Sequence, residues 1–284
     1  MSTTILCIAG PTASGKSARA VEEALARNGE VISVDSRQVY CGLDIGTEKT
    51  TLEEMRGVPH HLIDIRDPKE TYSAGDFVHD ATQLIAEVSA RGRLPILGGG
   101  THFYFDALLK GLPESSANPE LRAQLEKLSD EELFKKVQET DARRAAELDS
   151  KNRRRLIRAL EIIDAKGKVP ERAPLRGARY QTEWIIINPS ADELRKRIEV
   201  RLESAFARGL IDEVRRVRDH VGDARLNELG LEYKVVGEYL REERTRESLM
   251  PTLTAKLSQY ARRQRAWLRK LRSEQVTKNR VELA

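Results

Sequence analysis

Residues 10–17 read Gly-Pro-Thr-Ala-Ser-Gly-Lys-Ser, directly after a short apolar run at 5–9 and just before a helical pattern that opens near Ala18. A glycine-bounded turn ending in Lys-Ser, set between a strand and a helix, is the pattern of a phosphate-binding loop. Backbone N–H groups of such a turn point inward, and the following helix adds the positive end of its dipole. The candidate anion-binding residues are therefore Gly10, Pro11, Thr12, Ala13, Ser14, Gly15, Lys16 and Ser17. Lys16 places an ammonium against the oxygens of a polyphosphate, and the Ser17 hydroxyl is the candidate ligand for a magnesium ion. The motif leaves open which diphosphate it holds.

The loop demands a strand before it, and the first hundred residues supply more. Short β-rich runs at 5–9, 31–35, 62–65 and 94–97 alternate with helical stretches at 18–27 and 74–91, the pattern of a parallel sheet covered by helices. Ser73 with Asp76 three positions on has the spacing of a capping box at the start of the second helix. A further apolar run, Trp184-Ile185-Ile186-Ile187, reads as a returning strand of the same sheet. After Pro189 the chain is helical again, over 191–207, 211–220, 231–240 and 249–271. The fold class expected is α/β, a P-loop kinase-like core with a parallel sheet flanked by helices.

Between 97 and 184 the composition changes. The stretches 112–119 and 170–177 are rich in Pro, Gly and Ser and read as linkers, and the segment they enclose has helical periodicity with no strand-like run. An all-helical insertion domain at 116–180 is expected, carried on a core made of 1–115 and 181–284. The chain's net charge is only +4, yet residues 151–180 hold ten Lys/Arg against three Asp/Glu. A second basic cluster, Arg262, Arg263, Arg265, Arg269, Lys270 and Arg272, lies in a stretch with no acidic residue. Two basic islands on a nearly neutral body point to a polyanion, nucleic acid first, against the plainer reading of solvated helix faces. No apolar run approaches the roughly 20 residues needed to cross a bilayer, and the start of the chain lacks a signal-peptide pattern, so a cytoplasmic protein with no membrane partner is expected. Cys7 and Cys41 fit neither a metal cluster nor a disulfide framework.

Ligands of parallel sheets collect beyond the carboxyl ends of the strands. Asp35, at the end of the second run, is thereby placed beside the loop as metal ligand, general base or turn cap. The fourth run ends in Gly98-Gly99-Gly100-Thr101-His102, where a phosphoryl-transfer enzyme would carry an acidic residue for magnesium. Glycines there let another backbone or a substrate base approach closely. His102 reads as a structural histidine in preference to a catalytic base.

The loop together with Ile32-Ser33-Val34-Asp35-Ser36, Asp44-Ile45-Gly46-Thr47, Pro59-His60-His61-Leu62-Ile63-Asp64, Tyr72-Ser73-Ala74-Gly75-Asp76-Phe77 and Gly99-Gly100-Thr101 resembles the tRNA dimethylallyltransferase family. The resemblance continues through Arg154-Arg155-Leu156-Ile157-Arg158-Ala159-Leu160-Glu161 and through Gln264, Trp267, Leu268 and Arg269, so it spans nearly the whole chain in order. It implies transfer of the dimethylallyl group of dimethylallyl diphosphate to the exocyclic amine of the adenosine 3′ of the anticodon, in tRNAs reading codons that start with U. It further implies Asp35 as the general base, with Thr12, Lys16 and Arg215 as catalytic residues at the departing pyrophosphate, and Ser17 with Mg2+. Asp35, Ser36, Arg37, Gln38, Thr101, Ala159, Leu160, Glu161, Ile162 and Ile163 would contact the tRNA. The partners expected are the anticodon stem-loop and the diphosphate, met by a monomer. The sequence departs from the family at Gly98 and His102 and in its short C-terminal end.

Three rival readings explain less. A phosphate-loop kinase accounts for the loop and for neither basic island. An isopentenyltransferase acting on free adenine nucleotides has less need of a basic insertion. A nucleic-acid-binding module without catalysis leaves the loop without a purpose.

Overall fold

The computed structural model describes residues 3–112, 118–170, 180–276 and 281–283. Its centre is β1 (Thr3–Ala9), whose residues from Ile5 onward are all buried. Burial on both faces is what a continuous apolar run in a parallel sheet implies. Alternation divides the two faces: Ile5, Cys7 and Ala9 join one core cluster, Leu6 and Ile8 the other.

The loop leads into α1 (Lys16–Arg27), which returns the chain to β2 (Gly29–Ser33). Next come the short α2 (Leu52–Met55) and β3 (His60–His61), then α3 (Ala74–Ala90), β4 (Leu94–Gly99) and α4 (His102–Lys110). Four helices follow, α5 (Pro119–Leu125), α6 (Asp130–Thr140), α7 (Ala142–Glu147) and α8 (Arg153–Lys166), before β5 (Tyr180–Ile186). The chain then runs through α9 (Ala191–Ala207), α10 (Leu210–Leu226), α11 (Leu231–Leu240) and α12 (Leu249–Val276) to β6 (Val281–Leu283).

The described strands form one sheet in the order β3-β2-β4-β1-β5-β6, every pairing parallel. Ala20, Val21 and Ala24 of α1 cover one face, while Phe77, Ala81 and Ile85 of α3 and residues of α9, α10 and α12 cover the other. The helix-flanked parallel sheet expected from the sequence is present. The strand expected at 62–65 is not: pairing stops at His61, because Leu62 (φ 62°) and Asp64 (φ 54°) adopt left-handed backbone that cannot continue a strand. Ser73 does close a capping box, accepting from the Asp76 N–H while the Asp76 carboxylate accepts from the Ser73 N–H.

The chain divides into two compact units, one of residues 1–109 and 178–284, the other of 110–177, against the 116–180 read from composition. Most of the linker stretches 112–119 and 170–177, namely 113–117 and 171–177, lies outside the described residues. The smaller unit is built on its own core of Leu125, Leu133, Val137, Leu156, Ile157 and Leu160. Each of its helices is capped: Asn118, Ser129, Asp141 and Asn152 accept from the N–H three residues on. No described helix is long and apolar enough to cross a membrane.

Candidate active site at the phosphate loop

The loop leaves the carboxyl end of β1 and turns sharply, Ser14 N–H donating to the Pro11 carbonyl at 3.3 Å. Its two glycines are required for different reasons. At Gly10 a Cβ would sit 2.4 Å from Ser14 Oγ and 2.9 Å from the Ile187 carbonyl, so there is no room. At Gly15, φ is 88°, a left-handed conformation that costs a side-chain-bearing residue energy. The Ser14 hydroxyl is buried in this turn with no protein partner.

Three side chains from two helices hold the loop. Gln264 of α12 accepts the Thr12 N–H at 2.8 Å and donates to the Gly100 carbonyl at 2.9 Å, tying the loop to the end of β4. Arg201 of α9 donates to Thr12 Oγ1 at 2.7 Å and to Glu232 at 2.8 Å. One turn earlier, Arg197 donates to the Ser14 carbonyl at 3.1 Å. The N–H groups of Thr12 and Ser14 are thus spent on Gln264 and on the Pro11 carbonyl, and the other loop amides are the ones left for an anion.

Lys16 is half-buried and its Nζ lies 3.4 Å from the Pro11 carbonyl. Burial lowers its pKa to about 8, with Asp35 pulling upward and Arg201 downward. Lys16, Asp35 and Arg201 therefore feel one another's charge at the same edge of the sheet.

Asp35 follows β2. Its Oδ1 accepts the N–H groups of Arg37 at 2.8 Å and Gln38 at 3.3 Å, so it does cap the turn. That bond set uses one carboxylate oxygen only, and turn capping and proton acceptance are compatible. Thr101 braces the same turn: its Oγ1 accepts the Ser36 N–H at 3.0 Å and its own N–H donates to the Val34 carbonyl. The glycine run is explained by this approach, since a Cβ on Gly99 would lie 2.1 Å from the Val34 carbonyl oxygen and one on Gly100 would lie 3.0 Å from Gln264 and 3.5 Å from Lys16.

A second carboxylate fixes the neighbouring loop. Glu213 of α10, 1% exposed, accepts the N–H groups of Asp44, Ile45 and Gly46 and the Tyr233 hydroxyl. Gln38 in turn donates to the Thr47 and Glu48 carbonyls, joining that loop to the Asp35 turn. His102 is buried and stacked on Trp267 with ring centroids 4.3 Å apart. Burial, followed by the Lys16 charge, lowers its pKa to about 4, so the ring is neutral and structural.

Two expectations are corrected. Arg215 is not at the loop: its side chain is 53% exposed and pairs with Asp212 on its own helix, because the inward face of α10 there is given to Glu213 and Val214. Arg197 and Arg201 are the arginines at the loop. Their i, i+4 spacing on the helix after the returning strand was the available signal, since β5 lies beside β1 and the chain leaves both at the same edge. Likewise Ala159, Leu160, Glu161, Ile162 and Ile163 are all buried in the core of the smaller unit, with Glu161 paired to Arg122 and Arg158. Their side chains are not a surface for RNA. The outward basic residues between 151 and 170 are Lys151, Arg154, Arg155, Arg158, Lys166 and Lys168.

Among the described residues no group of three His, Cys, Asp or Glu side chains is placed to hold a metal ion. Ser17, exposed at the start of α1, offers a single hard oxygen. That donor set fits magnesium, which keeps water and substrate phosphate oxygens as most of its ligands. A separate groove of about 690 Å³ between α9 and α12, lined by Leu194, Ile198, Thr254 and Arg265, contains none of the loop residues.

Residues 38–271 match the family model described as IPP transferase. A tRNA dimethylallyltransferase of Thermomicrobium roseum is 42% identical over 94% of this chain and 84% of its own length. One from Roseiflexus is 41% identical over 94% of the chain and 90% of its own length. Among solved structures, a full-length tRNA isopentenylpyrophosphate transferase from Bacillus halodurans superposes with a TM-score of 0.72 at 38% identity, covering 100% of this chain and 90% of that one. A eukaryotic dimethylallyltransferase acting on tRNA gives 0.85 at 26% identity, covering 99% of this chain and 73% of that one. A phosphate loop gripped by arginines from α9, an acid at the end of β2 and a match that runs through both units have one common explanation: the chain belongs to the IPP transferase family.

Proposed function

We propose that this protein transfers the dimethylallyl group of dimethylallyl diphosphate to the exocyclic amine of the adenosine 3′ of the anticodon in tRNAs that read codons starting with U, releasing pyrophosphate. The observation that carries this reading is the meeting of Lys16, Arg201 and Asp35 at one edge of the sheet, two cations and a carboxylate around a phosphate loop. The bond from C1 of the allyl group to the diphosphate oxygen breaks, and a bond from C1 to the adenosine nitrogen forms. The departing diphosphate gains charge as the bond breaks. The loop amides, Lys16, Arg201 and Arg197 are placed to stabilise that charge in a partly dehydrated site. Asp35 takes the proton that the amine loses, through the carboxylate oxygen not committed to the turn. Magnesium on Ser17 would screen the same diphosphate charge.

The target base has to leave its loop to reach this edge, at a few kcal/mol or less for a base that is already unpaired. The Asp35–Gln38 turn, braced by Thr101, is the reading's contact for that nucleotide. In the smaller unit, Lys151, Arg154, Arg155 and Lys168 are exposed and form no ion pair among the described residues, which suits them to phosphates of the anticodon stem-loop.

The test is incubation with labelled dimethylallyl diphosphate and either total tRNA or AMP. Label is expected on tRNA alone, and Asp35→Asn should lower the rate by about 10²–10⁴ while tRNA affinity is kept. Label on AMP, or ADP formed from ATP, would overturn the reading in favour of a free-nucleotide transferase or a kinase. Arg201→Ala should cost about 10²–10³ in rate, and Arg215→Ala should cost almost nothing.

A further inference from the structure

Arg201 does not reach Thr12 unaided. Its guanidinium is held from behind by Glu232, in the first turn of α11, through a 2.8 Å bond, with the arginine and glutamate side chains 18% and 12% exposed. Burial raises the pKa of Glu232, and the Arg201 charge opposes that rise, so the pair is electrostatically committed to each other. The backbone that carries Glu232 is anchored through the next residue. Tyr233 is 1% exposed and donates its hydroxyl to Glu213 at 2.7 Å, pinning the backbone from which Glu232 projects. Its helix begins at Gly230, whose φ of 144° sets the direction of entry.

A guanidinium carries five N–H donors on a long side chain, so an arginine without a fixed partner samples many rotamers. Here one donor goes to Glu232 and one to Thr12 Oγ1, which leaves the others directed from a fixed plane. We propose that Glu232 is a positioning residue for the transfer reaction, holding the Arg201 guanidinium against Thr12 so that it meets the departing diphosphate in one orientation. This rests on the reading of Arg201 as a diphosphate contact. Glu232 touches no substrate in this role and acts through Arg201 alone.

The role predicts a particular dependence between the two positions. Glu232→Ala should lower the single-turnover transfer rate at saturating dimethylallyl diphosphate by about 100-fold, the scale of a 1 Å misplacement, with little change in KM. Glu232→Gln keeps an oxygen acceptor at the same reach and should recover to within about tenfold. Glu232→Asp keeps the charge but falls one methylene short, and should be as slow as Glu232→Ala. In an Arg201→Ala background, Glu232→Ala should add less than about threefold, because the orientation it supplies has no remaining user. Thermal melts of every variant establish that each is folded, and Glu232→Gln and Glu232→Asp carry the comparison if Glu232→Ala does not fold.

If Arg201→Ala is as active as wild type, the diphosphate reading of Arg201 fails and the inference fails with it. If Arg201→Ala is impaired while Glu232→Ala either runs at the wild-type rate or costs the same factor in both backgrounds, the inference alone is overturned. Equal activity of Glu232→Asp and wild type would also overturn it.

Discussion

Glu213→Gln removes a charge from a site where four donors converge on two oxygens, and the geometry predicts the cost. Oε2 accepts from Asp44 N and Ile45 N at 3.0 and 2.7 Å, and Oε1 accepts from Gly46 N and Tyr233 Oη at 2.9 and 2.7 Å. A glutamine must turn its NH2 toward one of these pairs. Facing Asp44 and Ile45 it would orphan two backbone N–H groups. Facing Gly46 and Tyr233 it orphans one, because the Tyr233 hydroxyl can rotate to accept from the amide. The second orientation is the cheaper, at about 1–3 kcal/mol for the orphaned Gly46 N–H. Exchanging charge-assisted bonds for neutral ones adds about 1 kcal/mol more. The expected loss is about 2–4 kcal/mol, or roughly 4–16 °C in melting temperature for a protein of this size. Urea denaturation followed by circular dichroism would measure it, with an unchanged m-value as the sign that only stability moved. Because Gln38 hangs from the Thr47 and Glu48 carbonyls of the same loop, transfer should also slow at temperatures where the variant is fully folded. A Glu213→Gln protein melting within 1 °C of wild type, on the scale of about 2–4 °C per kcal/mol, would refute the reasoning.

Two further outcomes are expected. Lys16 has its pKa lowered to about 8 by burial, so the ammonium that binds diphosphate is lost as pH rises through that value. The affinity of the wild type for inorganic pyrophosphate, relative to that of Lys16→Arg, should therefore fall between pH 7 and 9.5, and calorimetry giving a constant ratio would exclude the shift. The sign for folding is opposite, since the unfolded chain holds this proton more tightly, and the free protein should gain stability from about pH 8 up to the ordinary lysine range. In the smaller unit, replacing Lys151, Arg154 and Arg155 by Gln should weaken tRNA binding and flatten the slope of log affinity against log salt by roughly 0.7–0.9 per lost phosphate contact. Arg153 is left intact in this design because it pairs with Asp130 and its loss would disturb the fold. An unaltered salt slope would mark these charges as a solvated face.

What the sequence by itself determined is what depends on neighbours along the chain. The loop at 10–17 was legible because its glycines, Lys16 and the flanking strand and helix are all local, and so were the continuous apolar run of β1 and the period-3.6 patterns of α3, α9 and α11. Asp35 was legible too, since the end of a strand is a place in the sequence as well as in space. Only the tertiary structure decided between candidates that local pattern makes equal. Arg201 and Arg215 both sit on amphipathic helices rich in charge, and packing alone turns the first to Thr12 and leaves the second in solvent. The same holds for 159–163, whose mixture of Glu161 with apolar residues gives no sign that the glutamate is buried against Arg122 and Arg158. The strand at 62–65 failed because backbone torsion at Leu62 and Asp64 is imposed by the path to the next element, and residue type carries little of that information. Gln264 was named only as part of the resemblance, and its bracing role, like those of Glu213 and Glu232, was invisible for one shared reason: each is a polar residue whose partner lies elsewhere in the sequence, 252, 168 or 31 positions away, and a buried polar group is recognised only once its partner stands beside it.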